Sequence, residues 1–179
     1  DVCSSDLAND FLFTSINTSH GLSDNQIRYI LQLPDGRMVF TTNGNINLYD
    51  GIHFSYLHRT DKNVYPLKQY DGFYRIYQSG DSLLWVKDYH KLMGINLYKE
   101  EYIRDLESYF QNKNIPEPIE NLFADCAGHI WILTDHKLQE LQTGIHITLS
   151  PNDTRQLQDL NTENDSLYLF YNTGEVDCY

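Results

Sequence analysis

The chain repeats itself, and the period of that repeat constrains the fold more than any single motif does. Four segments share a frame: LPDGRMVFTT from Leu33, SGDSLLWVKD from Ser79, DCAGHIWILTD from Asp125 and ENDSLYLFYN from Glu163. With Gly36, Ser82, Gly128 and Ser166 as equivalent turn positions, the units are spaced by 46, 46 and 38 residues. Three residues after each turn stand Val39, Trp85, Trp131 and Leu169. Nine and six residues before it stand Ile27 and Ile30, Phe73 and Ile76, Ile119 and Leu122, and Leu157 and Leu160. Every one is apolar in a chain of 41% hydrophobic content, so coincidence is a poor explanation.

Each unit reads as strand, tight turn, strand, turn, strand. Stretches such as 27–33 and 73–78 carry β-branched and aromatic residues without helix caps. Asp35-Gly36, Gly80-Asp81-Ser82, Ala127-Gly128 and Asn164-Asp165-Ser166 supply the positive φ or the side-chain acceptor that a short hairpin needs. The runs that follow, 37–41, 83–87, 129–134 and 167–171, are nearly continuous apolar segments and are expected to be buried on both faces. Turns at Asn43-Gly44, Tyr89-His90, Asp135-His136 and Asn172-Thr173-Gly174 lead to third strands, plainest in the two INLY segments at Ile46 and Ile95. Outer strands are expected at 52–57 and, less clearly, at 101–104. Residues 105–114 read as a helical turn inserted between units.

Four-stranded units of about 40–50 residues predict an all-β fold: a β-propeller fragment of about four antiparallel blades with the ring incomplete. A β-sandwich would also alternate strands and turns, but it does not predict one motif recurring in one frame. The blade units are read as 17–60, 61–110, 111–150 and 151–179, with segment 11–16 completing a last blade that the chain lacks. Residues 1–7, DVCSSDL, match one translation of a sequencing-library adapter and are read as a foreign leader, leaving 8–179 as the partial propeller.

Thirteen basic against 25 acidic residues, a formal charge of −12, provide no cationic field for phosphate, so no nucleic acid is expected as a partner. No apolar run approaches the ~18 residues that span a bilayer. Cys126 and Cys178 are isolated and read as buried or half-buried small residues. The seven His residues show no metal-ligand spacing, so no metal and no cofactor are expected. Turn positions account for most carboxylates, among them Asp24, Asp35, Asp50, Asp61, Asp81, Asp153 and Asp165, and no glycosidase-like pair stands out. No catalytic residue is assigned, and the chain reads as a binding module rather than an enzyme. Trp85 and Trp131 read as core, not as sugar platforms.

The first unit carries a recognisable motif from Phe13 to Leu57: Gly21-Leu22-Ser23 before the inner strand, Asp35-Gly36 at the first hairpin, Thr41 closing the second strand, and Tyr49-Asp50-Gly51. It resembles the two-component regulator propeller repeat. The third unit matches at Gly128, Trp131 and Thr134, whereas the other two keep the spacing and the apolar frame. Val39 stands where the repeat has Trp, and Asn45-Ile46 replaces its Gly-Leu. The resemblance implies the periplasmic sensor region of a hybrid sensor histidine kinase anchored in the inner membrane. It further implies an oligosaccharide ligand, partner blades and a second propeller in the same polypeptide, a homodimeric parent and a kinase outside this chain. The alternatives are a propeller interaction scaffold and, behind it, a glycan-cleaving propeller. The chain lacks the Trp-Asp strand endings of WD repeats and the paired glycines of kelch repeats.

Because strand direction alternates within a blade, the turn between second and third strands shares a face with the links entering each inner strand. That geometry predicts ligand contacts from Asn43, Tyr89, His90, His136 and Asn172, near links at His20, Tyr65 and Asn114.

Overall fold

Branched and aromatic runs broken by Asp-Gly and Asn-Asp turns favour short antiparallel meanders, and meanders are what the computed structural model contains. It describes residues 14–42, 45–80, 82–115 and 118–179. The leader 1–7, the start of segment 11–16 and Asn43 lie outside the described residues, and 14–16 belong to no strand.

Four antiparallel sheets follow one another along the described chain. The first comprises β1 (Tyr29–Gln32), β2 (Met38–Thr41), β3 (Asn45–Tyr49) and β4 (Phe54–His58). The second holds β6 (Arg75–Ser79), β7 (Leu83–Asp88) and β8 (Lys91–Asn96), with two short pieces on its outer edge, β5 (Tyr65–Pro66) and β9 (Glu101–Tyr102). The third is β10 (Ile119–Ala124), β11 (Ile130–Thr134), β12 (Lys137–Glu140) and β13 (His146–Thr148). The fourth is β14 (Leu157–Glu163), β15 (Ser166–Tyr171) and β16 (Val176–Cys178).

The turn chemistry works as the sequence implies. Asp35 Oδ1 accepts from Arg37 N at 3.0 Å, and Gly36 takes φ 89°. Asn164 and Asp165, at φ 49° and 62°, close the β14–β15 hairpin in two residues. Asp24, Asp50 and Asp153 likewise accept from the backbone N–H two residues on.

Successive side chains of a strand point to opposite flanks, and this alternation stitches the sheets into an arc. Leu84 and Val86 of β7 join Val39, Ile46 and Leu48 of the first sheet in one buried cluster. Trp85, between them, belongs to the next cluster, with Ile119, Leu122, Ile130 and Ile132 of the third sheet. Trp131 and Leu133 in turn pack with Leu160, Leu167 and Leu169 of the fourth. No described cluster joins the fourth sheet to the first, so the four sheets are successive blades of a β-propeller whose ring is open. Among the described residues no helix is long and apolar enough to cross a membrane.

The segment read as an inserted helical turn is α1 (Leu106–Gln111), capped by Asp105, whose side chain accepts from Ser108 N. It is part of the core rather than an ornament. Phe110 is fully buried and stacks on Trp85 with centroids 5.7 Å apart. Gly94, opposite Trp85 in the sheet, leaves room for the indole: a Cβ there would stand 3.0 Å from its Cζ3.

Several expectations are corrected. Val39, Trp85, Trp131 and Leu169 do occupy second strands, but Leu169 faces the opposite flank. Val39, Trp85 and Trp131 pair with Leu31, Tyr77 and Phe123, and the register-equivalent residue in the fourth blade is Tyr168, opposite Asn161. The shorter β14–β15 hairpin removes a residue and shifts the frame. Ile27, Ile30 and Phe73 are exposed, at 37%, 53% and 81%. Ile30 points away from the second blade, and Phe73 stands before β6 on an open face. β15 is not buried throughout, because Phe170 turns to a flank that no described sheet covers. Cys126 and Cys178 are exposed, not buried.

Candidate functional site

One face of the arc gathers the turns between second and third strands and the starts of the inner strands. Tyr89 occupies the β7–β8 turn at φ 51°, an uncommon conformation for a bulky residue. Its N–H donates to the Gly72 carbonyl at 3.0 Å, and the His90 carbonyl accepts from Leu67 N at 2.8 Å. These bonds leave both side chains outside the sheet. The Tyr89 ring meets the exposed Phe73 ring edge to face, with centroids 6.2 Å apart. His90 Nε2 lies 3.8 Å from Asp71 Oδ1.

Behind this aromatic pair lies a cleft of about 360 Å³ where the inner strands of blades two, three and four converge; Tyr70, Phe73, Arg75, Asn121, Gln156 and Gln158 line it. Arg75, Asn121 and Asp159 occupy equivalent positions of the three inner strands, two residues after Phe73, Ile119 and Leu157. Register breaks in β10 and β14 turn the last two. Asn121 Oδ1 accepts from Leu122 N at 2.8 Å, and Asp159 Oδ1 from Leu160 N at 3.0 Å. Arg75 Nη1 reaches to 3.8 Å from Asp159 Oδ2, linking blade two to blade four across blade three. The Tyr70 hydroxyl donates to the Phe73 carbonyl. The Tyr70 ring lies so close over Gly72 that a Cβ there would stand 2.6 Å from it. The rim is therefore built to a fixed shape.

Directly under Tyr70 and Asn121 is a buried cation. Lys87 of β7 is 1% exposed, and its Nζ donates to Asn121 Oδ1 at 2.9 Å and to the Leu122 carbonyl at 2.6 Å. The rings of Tyr70, Phe123 and Tyr77 surround the ammonium at 4.1, 4.9 and 5.4 Å. Burial brings its pKa down to about 7.

Tyr89 and His90 adjoin this cleft through two residues that line it, Tyr89 beside the Phe73 ring and His90 beside the Asp71 carboxylate. His136, half-buried beside Asp135, lines a neighbouring cleft of about 100 Å³ that shares Gln69 and Leu157 with the first. Asn172 is joined to it through Gln156: Asn172 Oδ1 accepts from Gln156 N, and Gln156 Nε2 donates to the Gln69 carbonyl, both at 3.0 Å. The three links do not join them. His20 packs its Nδ1 3.0 Å from Asn17 Oδ1 at the start of the first blade. Tyr65 is buried in β5, where its hydroxyl accepts from Ile119 N. Asn114 follows α1 at φ 56°.

Sequence reasoning missed Asp71, Phe73, Arg75, Asn121, Gln156 and Lys87. Phe73 has the spacing and residue type of the apolar frame, nine residues before Ser82. Lys87 did carry a signal, a lone cation at the end of the apolar run LLWV. The polar residues look like any polar strand start. Among the described residues no three His, Cys, Asp or Glu side chains group closely enough to hold a metal.

No protein-family model matches the chain, and no curated protein matches it in sequence. Solved structures do. The extracellular domain of BT3049 from B. thetaiotaomicron, assigned to the hybrid two component systems, is 15% identical, with a TM-score of 0.53 over 92% of this chain and 24% of that one. The extracellular domain of BT4673 from the same organism is 14% identical over 88% of this chain and 30% of that one, with a TM-score of 0.41. A streptogramin B lyase is 14% identical over 89% and 56%, with a TM-score of 0.47. The chain thus spans at most about half the length of these structures, and what it shares with the matched part of BT3049, at that identity, is the fold.

Proposed function

We propose that the chain is part of the extracytoplasmic, ligand-sensing propeller of a hybrid two-component system, and that the face bearing Phe73, Tyr89 and His90 binds an oligosaccharide. The observation that carries this reading is the exposed Phe73–Tyr89 ring pair at the mouth of a cleft rich in side-chain amides. Aromatic faces stack on the apolar faces of sugars, and amides and imidazoles hydrogen-bond hydroxyls. Phe73 is 81% and Tyr89 49% exposed, and neither belongs to a described core cluster. The fold shared with an extracellular domain of a hybrid two component system supports the sensor assignment.

In this reading the ligand sits across blades two to four, in the periplasm. The parent is a homodimer anchored in the inner membrane, and further blades, a second propeller and the histidine kinase belong to the same polypeptide. His136 and Asn172 extend the face beyond the cleft. In this reading the site binds and does not cleave.

The test is an array of neutral and acidic glycans followed by calorimetry with the glycan retained. The Tyr89→Ala/His90→Ala pair is expected to weaken binding by at least ~10-fold with an unchanged circular dichroism spectrum, and no new reducing ends are expected to form. Unchanged affinity removes these residues from the site.

A further inference from the structure

The opposite face, where the first hairpins of the blades lie, holds a larger cleft between blades three and four, of about 530 Å³. Its wall is apolar: Trp131, Ile147, Leu167 and Tyr179, with Ile145 62% exposed beside them. Its polar lining includes three carboxylates, Glu140, Glu163 and Asp165, and among the described residues that line it none is Lys or Arg. Glu140 is itself buried, at 4% exposure, held by donation from Gln142 N, Thr143 N and the Thr143 hydroxyl.

The cleft also holds a fixed imidazole. Asp125, whose side chain is fully buried, places Oδ2 2.9 Å from His129 Nδ1 and 2.7 Å from the Thr162 hydroxyl of blade four, with Trp131 Nε1 at 3.4 Å. Burial pushes this carboxyl up, but the hydrogen bonds from Thr162, His129 and Trp131 outweigh it and hold its pKa below the ordinary value. Asp125 is therefore the acceptor and Nδ1 the donor, which turns Nε2 toward the cleft, where the Nδ1–H tautomer offers it as an acceptor.

The geometry points to a second ligand site here, for a protonated amine carried on a compact apolar or aromatic body. The body covers the Trp131–Leu167 wall, and the ammonium takes up the acceptors: His129 Nε2, the rim carboxylates and the Tyr179 ring face. An anion would meet three carboxylates and no side-chain cation from Lys or Arg. The site lies on the face opposite Tyr89, so it stands independently of the sugar-binding proposal.

Tryptamine and tryptophol share the indole and differ in ammonium against hydroxyl, which makes them the probes. The full chain is titrated with each while the His129 imidazole is followed by NMR, then again with the Glu163→Gln/Asp165→Asn variant. Asn tolerates the positive φ at 165, so this variant keeps the turn. Tryptamine is expected to bind at least ~10-fold tighter than tryptophol, to shift the His129 signals, and to lose that preference in the variant and in high salt. Equal or tighter tryptophol binding, tryptamine binding that leaves His129 unmoved, or no binding of either overturns the proposal.

Discussion

Lys87 Nζ and Asn121 Oδ1, 2.9 Å apart, tie blade two to blade three through a buried cation whose hydrogen-bond partners are neutral. The folded state binds the Lys87 proton less tightly than the unfolded chain, with a pKa moved from 10.5 to about 7 by burial. Between those values the unfolded chain holds more protons, so stability rises with pH across that window and is lost as pH falls from 10.5 toward 7. The slope from this group is at most about 1.4 kcal/mol per pH unit. Tyr77 and Tyr102, pushed up to about 12 by burial, act in the other direction above pH 10. Urea midpoints measured from pH 6 to 10 are expected to climb, and Lys87→Met, which removes the buried charge, is expected to flatten the climb and to stabilise the chain most at pH 6. A wild-type profile flat across this window would mean that the ammonium is solvated.

The two tryptophans separate packing from hydrogen bonding. Trp131→Ala is expected to cost about 3–5 kcal/mol through lost burial and a cavity, and Trp85→Ala a similar amount. Truncation to Phe should split them. Among the described residues the Trp85 indole N–H is buried without a partner, whereas Trp131 Nε1 faces Asp125 Oδ2. Trp131→Phe should therefore cost about 1 kcal/mol more than Trp85→Phe in paired urea titrations. Equal costs would show that the long 3.4 Å contact carries no energy.

In the fourth blade, Arg155 gathers Asp153 and Asp177 at 2.7 Å each and lies 3.9 Å over the Tyr171 ring. The side-chain hydrogen bond from Arg155 lowers the Asp153 carboxyl to about 2 from 3.8. Its folded pKa is depressed, so its contribution is present above the unfolded value and is lost as pH falls from about 4 to 2. Arg155→Met should lower the melting temperature at pH 7 and have little effect at pH 2. A difference that persists at pH 2 would assign the role to packing on Tyr171.

The architecture was legible because repetition multiplies a weak signal. One apolar run is ambiguous, but Val39, Trp85 and Trp131 in one frame leave few folds that can bury them all. The frame failed at Leu169, where a two-residue hairpin shifted the register, because turn length is set by the φ that Asn164 and Asp165 adopt and not by the strands. Strand alternation puts the Tyr89-His90 turn on the side of the inner-strand starts, where Tyr89 meets Phe73 and His90 lies near Asp71; that they contact a ligand belongs to the proposal. The other members of this face were hidden. Phe73 has the residue type of a core position, yet it is 81% exposed beside Tyr89. Arg75, Asn121 and Asp159 meet only because three inner strands converge, a relation spread over 85 residues of sequence.

Phe73 offers the cleanest test of the proposed sugar face, because its side chain does little for the fold. It is 81% exposed, and its described ring contact is with Tyr89 at the rim. Phe73→Ala removes the platform while leaving the backbone carbonyl that accepts from Tyr70. The urea midpoint is expected to stay within about 0.5 kcal/mol of wild type, while affinity for the retained glycan falls ~10-fold, which is about 1.4 kcal/mol. Phe73→Tyr, which keeps the ring, should restore most of the affinity. Loss of stability together with affinity would return Phe73 to the core, and full affinity in the alanine variant would move the ligand elsewhere on the face.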